Sequence, residues 1–239
     1  MKARYKRVLL KLSGEALAGE RGYGIDADVA SHIAAEIKEI HDEGVQVGIV
    51  IGGGNIFRGV AGAAAGVNRT VGDTVGMLAT VINSLLFRES LEAVGVPAIV
   101  LTALRIDKAG EYYIPEHAME YMVGGRVVII AAGTGNPFFT TDTAAALRCA
   151  ETRCDVLLKA TKVDGIYDCD PMTNPAAEKI DALTHREALK RGIRVMDATA
   201  FSLCMENGIP IVVFELAAKG NLRKCVEGLP VGSTVSKEA

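Results

Sequence analysis

Short runs of apolar, mostly β-branched residues alternate along the chain with longer segments in which apolar positions recur every three or four residues. The short runs predict strands of a sheet covered on both faces, because such strands are apolar throughout. These strands are predicted at residues 7–12, 45–51, 98–101, 127–131, 156–159 and 211–214. The longer segments predict amphipathic helices. They lie at residues 26–43, 74–94, 141–153, 184–191 and 199–206, with a short helix near 219–226.

The alternation of strands and helices predicts the fold class. Strand–helix–strand units with right-handed crossovers produce a mostly parallel sheet. We therefore expect an α/β protein, a three-layer α/β/α sandwich around a mostly parallel central sheet. The sequence contains no repeat and no linker rich in proline or serine, which favours one domain over residues 1–239, divided into two lobes by a cleft. Ligands of such sheets bind beyond the carboxyl ends of the strands, so the loops there are the first place to look for chemistry.

Glycine is used more than average, and its distribution marks one loop. The chain has 26 glycines among 239 residues, above the usual share of about 7%. Eight of them fall within residues 52–76, where even spreading would place roughly three; backbone that approaches a ligand closely is one reason for such an excess. A flexible surface loop without a ligand is the other.

Charge and hydropathy argue against several classes of protein. A net charge of −3 disfavours a protein that binds nucleic acid by neutralising many phosphates, but it permits one small phosphorylated ligand. No apolar run reaches the roughly 18–20 residues of a membrane span, and the N-terminus lacks the apolar core of a secretion signal. We therefore expect a cytoplasmic protein with no membrane partner. The five cysteines include no C-x-x-C pair and the four histidines no H-E-x-x-H, so we predict neither disulfides nor a zinc site.

The loops after the first two strands contain groups that suit phosphate. Lys11 lies near the first strand's end, before Ser13 and Gly14, so its ammonium could lie beside phosphate oxygens; an edge lysine before an ordinary turn explains the same residues. The second strand runs into a triple glycine at 52–54, whose N–H groups could approach an anion. Asp73 lies at the end of that loop, and its carboxylate could either be a charge at a helix start or bind sugar hydroxyls.

Two later loops add further candidates. Residues 132–142 combine a glycine turn, a proline, two phenylalanines and threonine hydroxyls before a helix start. These groups suit a base, a ribose and a phosphate bound together, whereas a helix N-cap alone would explain Thr141 but not the preceding Gly-Thr-Gly-Asn-Pro. After the fifth strand, Lys162 is a second candidate phosphate ligand and Tyr167 could cover a purine ring. For residues 168–171, a metal site is no better supported than an acidic surface turn.

Several familiar motifs are missing from the sequence. It contains no Gly-Lys pair, which excludes G-x-x-x-x-G-K-[ST], and it lacks H-R-D, D-F-G and G-x-S-x-G. The remaining glycines, hydroxyls and cations suit phosphoryl transfer, in which a protein mainly aligns two phosphate groups with Mg²⁺. From the residues alone we predict a phosphate-handling α/β enzyme and leave its substrate open.

Taken together, these loops resemble the amino-acid kinase superfamily, and within it the bacterial UMP kinases. The resemblance runs through nearly the whole chain. Its main stretches are KLSGEAL at 11–17, IGGGNIFRG at 51–59, GMLAT at 76–80 and KATKVDG at 159–165. The most specific stretch is GTGNPFFTTD at 133–142, because relatives that phosphorylate carboxylates or carbamate look different there.

The resemblance implies an activity and its setting. The γ-phosphoryl group of ATP would pass to UMP, giving ADP and UDP in pyrimidine nucleotide biosynthesis, with Mg²⁺ accompanying ATP. The fold would be a single amino-acid kinase-like domain with two lobes around a nucleotide cleft, assembled into a homohexamer. GTP would activate the enzyme and UTP would inhibit it.

The resemblance also implies a role for each matching residue, without any protein metal ligand. The catalytic residues would be Lys11, Lys162, Asp142 and Asp197, the aspartates orienting the lysines. The ATP site would consist of Lys11, Leu12, Ser13, Gly14, Gly54, Arg58, Thr161, Tyr167 and Asp170. The UMP site would consist of Gly53, Asp73, Thr134, Gly135, Asn136, Pro137, Phe138, Phe139, Thr140 and Thr141. The response to GTP would involve Gly19, Glu20, Arg21, Gly22, Tyr23 and Gly24. Residues 105–121 match no pattern of the family.

Two other functions stay open at this point. One is a kinase of the same superfamily that phosphorylates a carboxylate or carbamate. The other is a non-catalytic nucleotide sensor built from the same loops, which the presence of both Lys11 and Lys162 disfavours.

Overall fold

The computed structural model describes residues 2–57, 66–193 and 195–237. Within these ranges the backbone forms a nine-stranded sheet and a two-stranded hairpin. In chain order the strands are β1 (Arg7–Leu12), β2 (Gln46–Ile51), β3 (Ala98–Thr102), β4 (Glu111–Tyr112), β5 (Val127–Ala131), β6 (Val156–Thr161), β7 (Ile166–Tyr167), β8 (Lys179–Ile180), β9 (Ala182–Thr184), β10 (Ile211–Glu215) and β11 (Ser233–Ser236). The large sheet has the order β4-β3-β5-β2-β1-β6-β10-β11-β9, and each pair in it is parallel except β10 with β11.

Helices cover both faces of this sheet. Within the described ranges the α-helices are α1 (Gly14–Leu17), α2 (Ala27–His41), α3 (Arg69–Ala93), α4 (Pro115–Val123), α5 (Thr141–Glu151), α6 (His185–Lys190), α7 (Ala198–Glu206) and α8 (Asn221–Glu227). α2, α3 and α8 contribute to one apolar core, whereas α4 to α7 contribute to a second. Alternate strand residues supply both, since Val8 and Leu10 lie in the first core and Leu9 in the second. The predicted α/β/α fold class is confirmed.

The predicted elements recur with small differences in their bounds. All six predicted strands are present, and their ends differ from the predicted ones by at most two residues. The largest difference concerns α3, which begins at Arg69, five residues before the predicted start. Asn68 caps it, its side chain accepting a hydrogen bond from the Thr70 N–H at 2.9 Å. Asp73 therefore lies in the second turn of the helix and not at its start.

The sequence pattern did not predict several short elements, namely α1, α4, β4, β7, β8, β9 and β11. Their own apolar patterns are weak, and neighbours stabilise them instead. β11 pairs antiparallel with β10, and α4 begins at Pro115 without a side-chain cap and buries only Ala118 and Met122. Proline suits this first helical position because its missing N–H would have no intrahelical partner there.

α3 is also long and apolar enough, by length and composition alone, to cross a membrane; it is the one such helix in the part of the chain described here. Its most apolar 18-residue window has a mean hydropathy of 1.4 and is 39% buried. Phe87 and Leu91 pack fully buried in the first core. A helix that packs on a sheet can meet the same criteria of length and composition. These properties of α3 are therefore only weak evidence for a membrane span.

Candidate active site

Two lysines lie side by side near the carboxyl ends of neighbouring strands. The parallel register pairs Lys11 of β1 with Lys159 of β6, and the two residues are 9% and 7% exposed. A buried ammonium group is unfavourable unless an anion or hydrogen bonds compensate it. The register therefore brings together two cations that require an anion between them.

Asp142, in the first turn of α5, supplies that anion. Its Oδ1 lies 3.0 Å from Lys11 Nζ and its Oδ2 lies 2.7 Å from Lys159 Nζ. The second contact is an aligned hydrogen bond, whereas the first is an ion pair without hydrogen-bond alignment. Burial alone would raise the pKa of Asp142, but the charges of Lys11 and Lys159 together lower it below its usual value. The carboxylate therefore stays ionised between the two lysines.

Lys159 has the more perturbed environment of the two lysines. Its ammonium also donates to the carbonyl oxygen of Val195. Burial lowers the pKa of Lys159 to about 8, and the Asp142 carboxylate offsets this only in part. The structure thus places a titratable cation at the centre of the site.

The resemblance implies that Asp142 and Asp197 orient Lys11 and Lys162, and the structure places Asp142 against Lys11 and Lys159. β6 ends at Thr161, so Lys162 lies in the turn beyond it and is exposed. Lys159 lies inside the strand and contacts Asp142 of α5 directly. One signal for Lys159 was present in the sequence, a single lysine within the otherwise apolar strand VLLKAT.

Asp197 hydrogen-bonds to two helix starts, and its charge also opposes the lowering of the Lys159 pKa. Asp197 caps α7, its Oδ1 accepting the Ala200 N–H at 3.0 Å. Its carboxylate also accepts the hydroxyl of Thr143 at 2.9 Å and that of Thr140. Asp197 therefore joins the start of α7 to the start of α5, the helix that carries Asp142.

The loops after β1 and β2 pack closely on each other. Ser13 caps α1, its hydroxyl accepting the Ala16 N–H at 3.0 Å, and the Leu12 carbonyl accepts the Gly52 N–H at 2.9 Å. A Cβ on Gly14 would lie 2.7 Å from the Gly52 carbonyl oxygen, so only glycine permits this approach. The predicted ATP ligands at 11–14 lie together here, while the predicted ligand Arg58 is outside the described residues.

A cavity of about 260 Å³ opens between α3 and the loop after β5. Its lining includes seven predicted UMP ligands, namely Gly53, Asp73, Thr134, Asn136, Phe139, Thr140 and Thr141. It also includes Gly54, expected on the ATP side, and residues that were not predicted as ligands although they lie in the glycine-rich and family-like stretches, namely Phe57, Gly72, Gly76, Met77, Thr80 and Gly133. The predicted ligands Gly135, Pro137 and Phe138 do not line it. Among the additional residues, Gly72, Gly76 and Thr80 recur every four residues, and this helical spacing was the signal in the sequence that one face of α3 lines the cavity.

Side chains of α3 hold the loop that closes this cavity, here called the acceptor loop (residues 132–140). The Thr80 hydroxyl accepts the Ala132 N–H at 2.7 Å. The Asp73 carboxylate accepts the Phe138 N–H at 2.8 Å and is paired with Arg69. Burial alone would raise the pKa of Asp73, but the Phe138 N–H and Arg69 lower it. In this structure Asp73 thus contacts the acceptor loop.

Two further cavities lie on the other side of Asp142. One of about 420 Å³ is lined by Asp142, Asp197, Met196 and Phe201 among others, and one of about 610 Å³ by Tyr167, Cys169, Asp170 and Pro171 among others. They share Gly192 and Ile193, so a hollow continues from the charged cluster to the predicted adenosine side. Thr161 does not line it; its hydroxyl donates to the Val163 carbonyl at 2.6 Å.

The segment expected to respond to GTP contacts the loop after β2. Residues Gly19–Arg21 form a 3-10 turn, and Gly24 exchanges hydrogen bonds with Asn55. Asn55 and Asn83 of α3 bind each other through their amides, at 3.0 and 2.7 Å. Within the described ranges, no group of three or more His, Cys, Asp or Glu side chains is placed to hold a metal ion.

Comparison with known proteins identifies a matching family and several similar proteins. The model of the amino acid kinase family matches residues 6–215. The uridylate kinase of Bacteroides thetaiotaomicron is 56% identical over 233 residues, which cover 98% of this chain and 99% of that protein. The uridylate kinase of Phocaeicola vulgatus is 57% identical over the same length and coverage.

Solved structures show the same similarity. The UMP kinase from Bacillus anthracis has a TM-score of 0.95 at 38% identity, covering 98% of this chain and 97% of its own. The UMP kinase from Ureaplasma parvum has a TM-score of 0.91 at 36% identity, covering 98% of this chain and 100% of its own.

Proposed function

This chain belongs to the amino acid kinase family, and on that premise we propose that it transfers the γ-phosphoryl group of ATP to UMP, giving ADP and UDP. One observation carries the proposal: the cluster Lys11–Asp142–Lys159 directly adjoins the acceptor cavity, since Thr141 lines the cavity and Asp142 follows it in α5. Relatives named uridylate kinase, similar over 98% of this chain, support UMP as the acceptor.

The charged cluster suits the electrostatic demands of the reaction. Phosphoryl transfer spreads negative charge over the transferred group and its bridging oxygens, and catalysis consists mainly of positioning and charge stabilisation. Lys11 and Lys159 supply two positive charges, and Asp142 fixes their ammonium groups. The acceptor needs no strong base, because a phosphate monoester with a second pKa near ~6 is already mostly ionised at pH 7.

The nucleotide ligands remain proposals, with two changes. We place Lys159 where the resemblance assigned Lys162. Asp197 holds the Thr140 and Thr143 hydroxyls, and its charge favours the protonated form of Lys159. Asp142 is engaged by two lysines, so we assign no protein cage to Mg²⁺. The ion enters with ATP as part of the substrate, the phosphates being its main ligands, which is the usual arrangement in kinases.

The assembly and regulation implied by the resemblance are proposals too. They comprise one domain over residues 1–239, a homohexamer, activation by GTP through residues 19–24, inhibition by UTP, and a cytoplasmic location in pyrimidine nucleotide biosynthesis. An exposed apolar stripe on α3 supports assembly; it consists of Val71, Val75, Leu78, Ile82 and Leu86. The hydrogen bonds between Gly24 and Asn55 support a link from the 19–24 segment to the triple-glycine loop after β2.

An acceptor panel tests the activity. ADP release from ATP is measured with UMP, CMP, glutamate or carbamate, and UDP is identified by chromatography. We expect UMP to give the highest kcat/KM. Activity with a carboxylate or carbamate but not with UMP would identify a different kinase of the family, and tight ATP binding without any ADP release would identify a nucleotide sensor.

A further inference from the structure

The geometry points to Arg148 as a positioning residue for the acceptor loop, held in place by Tyr113 and Glu151. This inference deepens the proposed function and rests on it, because it concerns how the UMP cavity is shaped. The three residues are not among those that line the cavity, so each acts through another residue.

Arg148 connects α5 to the backbone of the acceptor loop. It is 4% exposed, and its Nη2 donates to the Gly133 carbonyl oxygen at 2.9 Å. Its Nη1 donates to the Glu151 carboxylate at 2.7 Å, and its guanidinium lies 4.2 Å from the centre of the Tyr113 ring. Burying a guanidinium is unfavourable unless such partners satisfy it, and one of these partners is the acceptor loop itself.

The Gly133 carbonyl belongs to a peptide that lies at the cavity wall. A trans peptide is planar, with its C=O and N–H pointing in opposite directions. Since Arg148 binds the Gly133 oxygen, the Thr134 N–H points away from Arg148. Gly133 and Thr134 both line the cavity, and the Thr134 N–H has no protein acceptor within the described residues. Arg148 thereby directs a backbone donor towards the acceptor substrate.

The turn needs such support because its backbone is unfavourable. Ala132 and Gly133 have φ values of 62° and 58°, and the left-handed region is costly for alanine. The Thr80 hydroxyl holds the Ala132 N–H on one side of the turn, and Arg148 holds the Gly133 carbonyl on the other. Without Arg148, the Gly133 carbonyl loses the hydrogen bond that fixes its direction, and the turn keeps the Thr80 contact, the bond from Gly135 to Ala132 and the bonds between Thr134 and Asn136.

Tyr113 connects segment 105–121, which matches no pattern of the family, to Arg148 and Glu151. Its hydroxyl donates to the Glu151 carboxylate at 2.8 Å while its ring covers the Arg148 guanidinium. Burial and the charge of Glu151 raise the pKa of Tyr113, so the hydroxyl stays protonated and remains a donor. The segment that follows β4 is thus connected to the acceptor loop through two side chains.

The experiment compares KM for UMP with KM for ATP in Arg148→Lys and Tyr113→Phe. Lysine keeps the charge but cannot bond Glu151 and Gly133 as a planar fork while stacking on Tyr113. We expect Arg148→Lys to raise KM for UMP by roughly 10- to 100-fold, the size of a lost charged hydrogen bond, with KM for ATP within about twofold. Tyr113→Phe removes only the hydroxyl and should raise KM for UMP by about threefold.

Arg7→Lys is the matched control, because Arg7 also binds a backbone carbonyl, that of Thr152 at the far end of α5, and lies away from the cavity. We expect it to change neither KM.

The inference is overturned if folded Arg148→Lys leaves KM for UMP unchanged, or if Arg148→Lys and Arg7→Lys raise both KM values alike. Should Arg148→Lys not fold, Tyr113→Phe decides: an unchanged KM for UMP overturns the inference. A wild-type chain that forms no UDP refutes the proposed function and this inference together, whereas normal UDP formation with an unchanged variant refutes the inference alone.

Discussion

At the residue scale, the charges of three mostly buried side chains compensate one another, namely those of Lys11, Asp142 and Lys159. Two positive charges and one negative charge leave a net positive cluster near the loop after β1. Charges removed from bulk water interact more strongly with developing negative charge than the same charges in solvent. Removal of Asp142 leaves two buried ammonium groups without their shared anion, and removal of either lysine leaves Asp142 with one cation instead of two. Substitutions here therefore act on both folding and turnover.

The first prediction concerns the two buried lysines. We expect Lys11→Ala and Lys159→Ala each to lower kcat by about 100-fold or more, the usual loss when a preorganised group at the transition state is removed. Lys162→Ala is the matched variant, and because Lys162 is exposed its loss should be smaller than that of Lys159→Ala. The measurement is steady-state UDP formation, with circular dichroism as the folding control. Near-normal turnover of folded Lys11→Ala would contradict its role, and a larger loss in Lys162→Ala would restore Lys162 as the second catalytic lysine.

The second prediction concerns pH. The pKa of Lys159 is about 8, so its charge is lost as pH rises through that value, whereas an ordinary lysine stays charged to about 10. kcat/KM for ATP, which reports the free enzyme, should therefore fall about tenfold per pH unit above 8. Lys159→Arg keeps its charge throughout and should remove this decline. An identical alkaline decline in an active Lys159→Arg variant would assign the titration to another group.

The third prediction concerns Asp73. Its carboxylate lines the acceptor cavity and holds the Phe138 N–H. We expect Asp73→Ala to raise KM for UMP about tenfold or more, the effect of losing a charged hydrogen bond, and KM for ATP much less. Both values come from the same coupled assay, varying one substrate at a time. An equal effect on both substrates would place Asp73 outside the acceptor site.

At the element scale, the ends of helices position the charged cluster. Thr140 caps α5, its hydroxyl accepting the Asp142 and Thr143 N–H groups at 3.1 Å, and it donates to Asp197 at the start of α7. Asp142 therefore lies at the start of α5, and a hydrogen bond from Thr140 to the start of α7 stabilises that helix start. The register of β1 with β6 places the lysines opposite it. Neither α5 nor the strands could form this cluster alone.

The fourth prediction concerns the contact between the triple-glycine loop and α3. A Cβ on Gly53 would lie 2.7 Å from the Gly76 carbonyl oxygen and 2.9 Å from Ala79 Cβ, whereas one on Gly54 would lie no closer than 3.7 Å to Glu15. We expect Gly53→Ala to lower the free energy of unfolding by about 1–3 kcal/mol, as overpacking does, and Gly54→Ala to change it by less than about 0.5 kcal/mol. Urea denaturation of both variants measures this. Equal destabilisation would show that close packing is not why Gly53 is glycine.

At the scale of the whole molecule, α3 has two apolar faces. One is buried in the first core, and the other is an exposed stripe with helical spacing. The stripe consists of Val71, Val75, Leu78, Ile82 and Leu86, which are between 36% and 53% exposed. A continuous exposed apolar surface of this kind commonly marks a protein–protein contact, and it also explains why α3 meets the criteria for a membrane span.

The fifth prediction concerns assembly. We expect light scattering to give a particle mass of six times the 25.2 kDa chain mass. Ile82→Glu places a charge in the stripe and should lower that mass, because an unpaired buried charge is unfavourable. Leu229→Glu is the control, since Leu229 is equally exposed but lies outside α3. A wild-type monomer would contradict the hexamer, and an unchanged mass for Ile82→Glu would exclude the stripe from the interface.

The sequence by itself determined the layered α/β fold, the positions of the main strands and the loops that bear the site. These properties follow from the period of apolar residues and from local turn chemistry, both of which are encoded in short windows of chain. The resemblance of its motifs also predicted that Lys11 and the acceptor loop bind the phosphorylated substrates and that Asp142 orients the catalytic lysines.

Only the tertiary structure decided which groups meet. It paired Asp142 with Lys159 and not with Lys162, and bound Asp197 to threonine hydroxyls. It also brought Tyr113 against Arg148 across 35 positions of sequence. Such pairings depend on strand register and on where a helix crosses the sheet, which the packing of residues distant in sequence determines. A charged residue's own neighbours in the chain carry no record of the partner that it meets in the fold.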